Sequence, residues 1–158
     1  MPINLDEFDL KILRLVQRDN SSTTTRLAQQ IGLSVSSVQR RLRRLREKKV
    51  IEREIAVISP EAVGRPLRAI IEIALEHKHA PSSVETFKRF IISTPEVMDC
   101  YHVTGEADFI LTVVLKDMED YQRFLGNLVS ETRLHIKNIH TSIVVHQVKV
   151  GPSVPIEV

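Results

Sequence analysis

One cysteine, Cys100, stands in the whole chain, so no internal disulfide can staple the fold, and the chain suits a reducing compartment. Glycine is scarce, 5 residues of 158, and no glycine-rich loop of the phosphate-cradling kind occurs, which argues against a nucleotide. No apolar run reaches the roughly 18 residues of a membrane helix. The first residues, MPINLDEFD, are acidic and lack an apolar segment of the secretory type, so no signal peptide is expected. With 42% hydrophobic and 27% charged residues, the chain reads as a soluble cytoplasmic protein of one ordinary domain or two small ones. Its net charge of +2 conceals an asymmetry. Residues 1–50 hold 11 basic and 5 acidic groups, and residues 51–158 hold 11 basic and 15 acidic. A basic half and an acidic half imply a nucleic-acid-binding part and a part with another task.

The most informative stretch is Leu33–Lys49, LSVSSVQRRLRRLREKK. Val38, Leu42 and Leu45 recur at i, i+4 and i+7, a single helical stripe, and Ser34 is placed to cap it. Ser36, Arg40 and Arg43 fall near the opposite side, flanked by Ser37, Gln39 and Arg44. Seven basic residues against Glu47 make residues 34–49 net +6, a helix shaped to lie against a polyanion. The bland alternative is a solvated charged face.

Upstream, Leu5, Phe8, Ile12 and Leu15 predict a helix over about 5–18, with Asp6, Glu7 and Asp9 favourably placed against its dipole. Asp19-Asn20-Ser21 is a turn signal. A second helix follows, with Thr23 or Thr24 as cap, Leu27, Ala28 and Ile31 inward, and Gly32 as its stop. Two short helices joined by a glycine-containing turn, the second basic, form the helix-turn-helix pattern.

Residues 52–58 predict a strand, followed by a linker broken at Pro60, Gly64 and Pro66. The division expected is a helix-turn-helix domain at 1–50, a strand and linker at 51–66, a second domain at 67–149 and a tail at 150–158. The second half reads as strand 67–76, helix 82–93 with a Ser82/Glu85 capping box, strands 97–104 and 107–115, helix 118–130 capped by Asp117, and strand 138–149. That βαββαβ order predicts a four-stranded antiparallel sheet with two helices on one face, a ferredoxin-like fold. The whole is therefore α+β, a three-helix winged or helix-turn-helix domain plus a ferredoxin-like domain. Strand 107–115 is apolar on both faces, so the face without helices needs a cover, and a second copy of the sheet is the economical one.

Candidate sites follow from chemistry. Ser36, Ser37, Gln39 and Arg40 are candidates for base edges in the DNA major groove, because the start of a recognition helix enters it. Arg43, Arg44, Lys48 and Lys49 are candidates for phosphates. Gly105 and Asp108 admit a plain reading, a hairpin glycine and a solvated acid. They also admit a functional one, in which turn amides and the Asp108 carboxylate receive a small ligand's ends. Thr104, Glu106 and Ala107 share that turn, and Thr141 and Ser142 could add hydroxyls. His77 and His79 lie beside Pro81 without a cysteine or carboxylate cluster, so no metal is expected, and no cofactor. Cys100 and His102 share a strand face in an otherwise packed pattern, so a Cys–His nucleophile, and enzymatic function generally, is not expected.

Taken in order, Leu5-Asp6 with Asp9 and Ile12-Leu13, Leu27-Ala28, Gly32-Leu33-Ser34, Val38 and Arg41 with Leu45, Val50-Ile51, Val103-Thr104-Gly105 and Asp108-Phe109 are spaced as in one family. Over residues 4–149 the chain resembles the Lrp/AsnC, or feast/famine, regulators of bacteria and archaea. The resemblance implies an N-terminal helix-turn-helix on double-stranded DNA and a C-terminal domain sensing an amino acid or related molecule near the Gly-x-x-Asp turn. It also implies dimers through sheet faces, often assembled into octamers. A ligand-independent protein that wraps DNA is the alternative. Two departures stand out: Lys49 replaces a usual glycine, and Asn20-Ser21 replaces a frequent Gly-Arg.

Overall fold

The structure is a computed structural model that describes residues 4–76, 81–149, 151 and 154–157. His77 and His79 lie outside the described residues. The chain forms two compact units, residues 1–56 with 149–158, and residues 57–148.

The first unit holds α1 (Glu7–Val16), α2 (Thr24–Ile31) and α3 (Val35–Glu47). Each start is chemically marked. Asp6 caps α1 and forms a reciprocal capping box with Asp9, Thr23 caps α2, and Ser34 caps α3. Gly32 ends α2 at φ 77°, leaving a three-residue turn before α3. Ile12, Leu27, Ala28, Val38, Leu42 and Leu45 form the core, so the predicted stripe of α3 is its buried face.

The exit from α3 answers the first departure. Lys49 adopts φ 54°, the left-handed geometry a glycine would take. Val50 N–H donates to Leu45 O at 2.9 Å and Lys49 N–H to Arg46 O at 2.9 Å, closing a Schellman motif around a lysine. At the second departure, the Asp19 carboxylate accepts from Ser21 N–H at 2.9 Å and from Ser22 Oγ at 2.9 Å, so side chains hold the turn instead of glycine.

The second unit holds β1 (Leu67–Leu75), α4 (Pro81–Ile92), β2 (Val97–His102), β3 (Phe109–Leu115), α5 (Met118–Ser130) and β4 (Ile136–Ile143). The sheet is antiparallel in the order β2-β3-β1-β4, and the α+β fold expected is the fold found. Ala69, Ile71, Ile73 and Leu75 alternate with Phe109, Leu111, Val113 and Leu115 to bury one sheet face against Val84, Phe87, Ile91, Phe124 and Leu128 of the helices. The other face presents Ile70, Glu72, Tyr101, Ile110, His140 and Ser142, by alternation along the paired strands.

Four expectations need correction. Residues 52–58 form no strand, because among the described residues no strand pairs with them, and Ile55, Val57 and Ile58 are exposed. β4 stops at Ile143 rather than 149. Its last partner on β1 is Ala69, after which only the Val144 N–H to Arg68 O bond remains, and Val145 and Val148 stand in solvent. Helix α4 starts at Pro81, so Ser82 lies inside its first turn and does not cap it, while Glu85 pairs with Lys88 at 2.8 Å. Finally, β2 is an edge strand, and Cys100 and His102 are exposed rather than packed; the His102 ring stacks on Phe109 at 4.7 Å.

Candidate nucleic-acid interface and effector turn

The outward side of α3 carries Ser36, Gln39, Arg40, Arg43, Arg44 and Lys48 exposed, with Ser37 half-buried. Ser34 Oγ accepts from Ser37 N–H at 3.3 Å and lies 3.2 Å from Ser36 Oγ, so hydroxyls crowd the amino end of the helix. Guanidinium and ammonium groups follow toward its carboxyl end, where they also complement the helix dipole.

The charges are not equivalent. Asp9 on α1 is fully buried and lies beneath α3. Arg41 Nη1 donates to Asp9 Oδ1 at 2.8 Å and to Asp6 at 2.7 and 2.9 Å, and Arg44 Nη2 donates to Asp9 Oδ2. The Arg41 guanidinium also lies over the Phe8 ring, 5.5 Å from its centroid. The backbone N–H of Asp9, followed by Arg41, holds the Asp6 carboxyl below its ordinary value, and the same ion pair raises Arg41. Arg46 makes a two-point contact with Glu54 at 2.7 and 3.1 Å. Three of the seven basic groups thus face carboxylates. Arg40, Arg43, Lys48 and Lys49 make no ion pair among the described residues. Arg44, expected on a phosphate, has one end held by Asp9 while its side chain is 45% exposed.

Asp9 went unrecognised as a buried carboxylate, although a signal was present. It lies four residues after Leu5 and three before Ile12, on the apolar stripe of α1. An acid there has to find a cation on a neighbouring helix.

In the second unit, the turn between β2 and β3 presents Thr104, Gly105 and Glu106 to solvent, with Ala107 half-buried and Asp108 buried. Gly105 takes φ 124°, a conformation that L side chains rarely adopt, so a side chain here would strain the turn. Asp108 is not a solvated acid. Its N–H donates to Ile73 O at 2.9 Å, its carbonyl accepts from Val103 N–H at 2.9 Å, and its Oδ2 accepts from Leu75 N–H at 2.8 Å. The last bond falls where the β1–β4 register shifts between Ala74 and Leu75. The carboxylate thus takes a backbone donor at a defect in the ladder, and pins the turn to β1. Thr141 and Ser142 are not brought to this turn. They pair with Ile71 and Ile70, so β1 stands between them and β3, and they point to opposite sheet faces.

Among the described residues no group of three His, Cys, Asp or Glu could hold a metal, and no helix is long and apolar enough to cross a membrane.

A helix-turn-helix unit with a basic outer helix, joined to a ferredoxin-like unit with a pinned glycine turn, defines a DNA-binding transcription regulator with a separate second domain. Family models agree: residues 5–52 match the winged helix-turn-helix DNA-binding family, and residues 68–154 match the Lrp/AsnC ligand binding domain. The chain belongs to the Lrp/AsnC family. It is 44% identical to an HTH-type transcriptional regulator of Sinorhizobium fredii, over 99% of this chain and 91% of that one. It is 37% identical to the Bkd operon transcriptional regulator of Pseudomonas aeruginosa, over 80% of this chain and 82% of that one. A transcriptional regulator from Neisseria meningitidis, solved in complex with L-methionine, matches with TM-score 0.89 and 29% identity over 96% of this chain and 97% of that one.

Proposed function

We propose that the protein binds DNA in a sequence-specific manner through α3, and that its DNA affinity or oligomeric state responds to an amino acid or related small molecule. The observation that carries the first part is the outer side of α3, where Arg40, Arg43, Lys48 and Lys49 stand without carboxylate partners among the described residues. Ser36, Ser37, Gln39 and Arg40 are assigned to base edges. Arg43, Lys48 and Lys49 are assigned to phosphates, and Arg44 joins them with the part of its guanidinium that Asp9 does not hold. Each phosphate neutralised adds about 0.9 to the slope of log K against log salt. Replacing Arg43 and Lys48 with Ala should flatten that slope by about 2 per protomer, whereas Arg46→Ala, whose charge Glu54 already answers, should leave it unchanged. Fluorescence anisotropy across a salt series reads this. An unaltered slope in the double variant would remove α3's outer face from the interface.

The effector site is assigned to Thr104, Gly105, Glu106, Ala107 and Asp108 of the β2–β3 turn. The Lrp/AsnC ligand binding domain and the methionine complex of the Neisseria regulator support an amino acid, with methionine the first candidate. The uncovered sheet face and the exposed Ile55, Val57 and Ile58 support assembly into dimers, with octamers the larger form. A thermal-shift series over the standard amino acids, with light scattering on the same samples, tests both, since a ligand that binds only the folded chain stabilises it by mass action. One observation favours the second reading, a ligand-independent DNA-wrapping protein: the Asp108 carboxylate already accepts Leu75 N–H. DNA binding with no response to any amino acid would select that reading.

A further inference from the structure

The C-terminal segment has no helical or core pattern of its own, yet its residues Val154 and Ile156 are held by α1. The side-chain amide of Gln17, the residue that ends α1, meets both backbone groups of one tail residue: Gln17 Nε2 donates to Val154 O at 3.0 Å, and Val154 N–H donates to Gln17 Oε1 at 3.2 Å. A carboxamide carries one acceptor and a donor side by side, as a peptide group does, so Gln17 pairs with Val154 as a neighbouring strand would. Two residues on, Arg14 Nη2 donates to Ile156 O at 2.7 Å. Residues two apart on an extended segment face the same way, so Arg14 and Gln17, one helical turn apart, read successive carbonyls of one strand-like edge.

The local sequence prepares this geometry. Pro155 disfavours helical geometry at Val154 and favours an extended one. Pro155 also has no N–H of its own to satisfy between the two contacts. Ile156 is half-buried against the unit while Val154 and Glu157 remain exposed. The chain passes between the two units twice, after Ala56 and after Val148.

We propose that the last turn of α1 is a docking site for the chain's own C-terminal segment, Val154–Glu157, which makes the tail a second tether of the DNA-binding unit beside the 52–66 bridge. The first tether enters at α3, and the second ends on α1, which the Asp9–Arg41–Arg44 cluster joins to α3. Held at two points, the unit has less orientational freedom than a single linker allows, which raises the effective concentration of the second half-site on DNA. That consequence rests on the DNA-binding reading above; the docking does not.

The test therefore reads docking without DNA. With p-benzoylphenylalanine in place of Val154, a residue 65% exposed, irradiation of the full chain should crosslink the tail to residues 13–18. Chains grown in heavy and light nitrogen and refolded together should give products of one isotope only. Gln17→Leu, which cannot clasp, should lower the yield about tenfold through loss of two hydrogen bonds. Deleting residues 153–158 should speed amide exchange at Leu15–Asp19 about tenfold while leaving β1 and β3 unchanged, the mark of a local rather than global opening. Crosslinks elsewhere, mixed-isotope products, or unchanged exchange in α1 after the deletion would each overturn the proposal.

Discussion

Among the described residues each unit buries one carboxylate, and the two do it by different means. Asp9 in the first unit is fully buried and is answered by two guanidinium groups from α3. Asp108 in the second unit is 7% exposed and has its Oδ2 answered by a backbone N–H at a register shift. The first is a charge buried against charge, and it joins α1 to α3. The second is an acceptor buried against a donor, and it closes a gap in a ladder. Removing the charge at Asp9 leaves guanidinium groups short of a partner, whereas at Asp108 the oxygen matters more than the charge.

The largest expected effect follows at Asp9. Asp9→Ala should lower the unfolding free energy by about 3 kcal/mol, the lower end for a broken buried pair because the half-exposed Arg44 can return to water. Urea denaturation measures it, and Asp9→Asn should retain most of the loss. A loss under about 1 kcal/mol would remove the distinction drawn between the two acids. Next comes Asp108→Ala, expected to cost about 1–3 kcal/mol by leaving Leu75 N–H unsatisfied. Asp108→Asn keeps an acceptor oxygen and should cost under about 1 kcal/mol, and an equal cost in both variants would show that charge governs this site as well. At the end of α3, Lys49→Gly should stabilise by about 1 kcal/mol, because glycine takes the left-handed geometry without a Cβ clash. A rise in melting temperature would mark it as a local gain, while DNA affinity should fall through loss of the phosphate contact assigned to Lys49. The smallest effect belongs to Arg46→Ala, under about 0.5 kcal/mol, since its pair with Glu54 lies in solvent. A larger loss in the same denaturation series would place that pair in the class of Asp9.

Local signals translated well into elements. Ser34 followed by Val38, Leu42 and Leu45 announced the cap and buried face of α3, and Asp117 before Tyr121, Leu125 and Leu128 announced α5 to its observed ends. These features depend on contacts within one helical turn, which adjacent residues control. The β-rich run 52–58 looked like a strand because Ile55 and Val57 have the right propensity, but a strand exists only with a neighbour. Residues 144–149 failed for the same reason at the open end of β4, and Ser82 was displaced as a cap because Pro81 already occupied the first helical position.

By itself, then, the order of residues determined the helix-turn-helix, the βαββαβ alternation, the basic outer side of α3 and the position of the glycine turn. Each rests on periodicity, capping or charge within a short window. Only the tertiary structure decided which of the seven basic residues of stretch 34–49 pair with carboxylates, because that depends on Asp6 and Asp9, more than 30 residues away, and on Glu54, 8 residues from Arg46. It also decided that Asp108 anchors its own turn, that Thr141 and Ser142 stand apart from it, and that Val154 and Ile156 meet Gln17 and Arg14. Those outcomes are pairings between distant groups, and whether a distant donor finds an acceptor is set by where the chain returns, which no local pattern encodes.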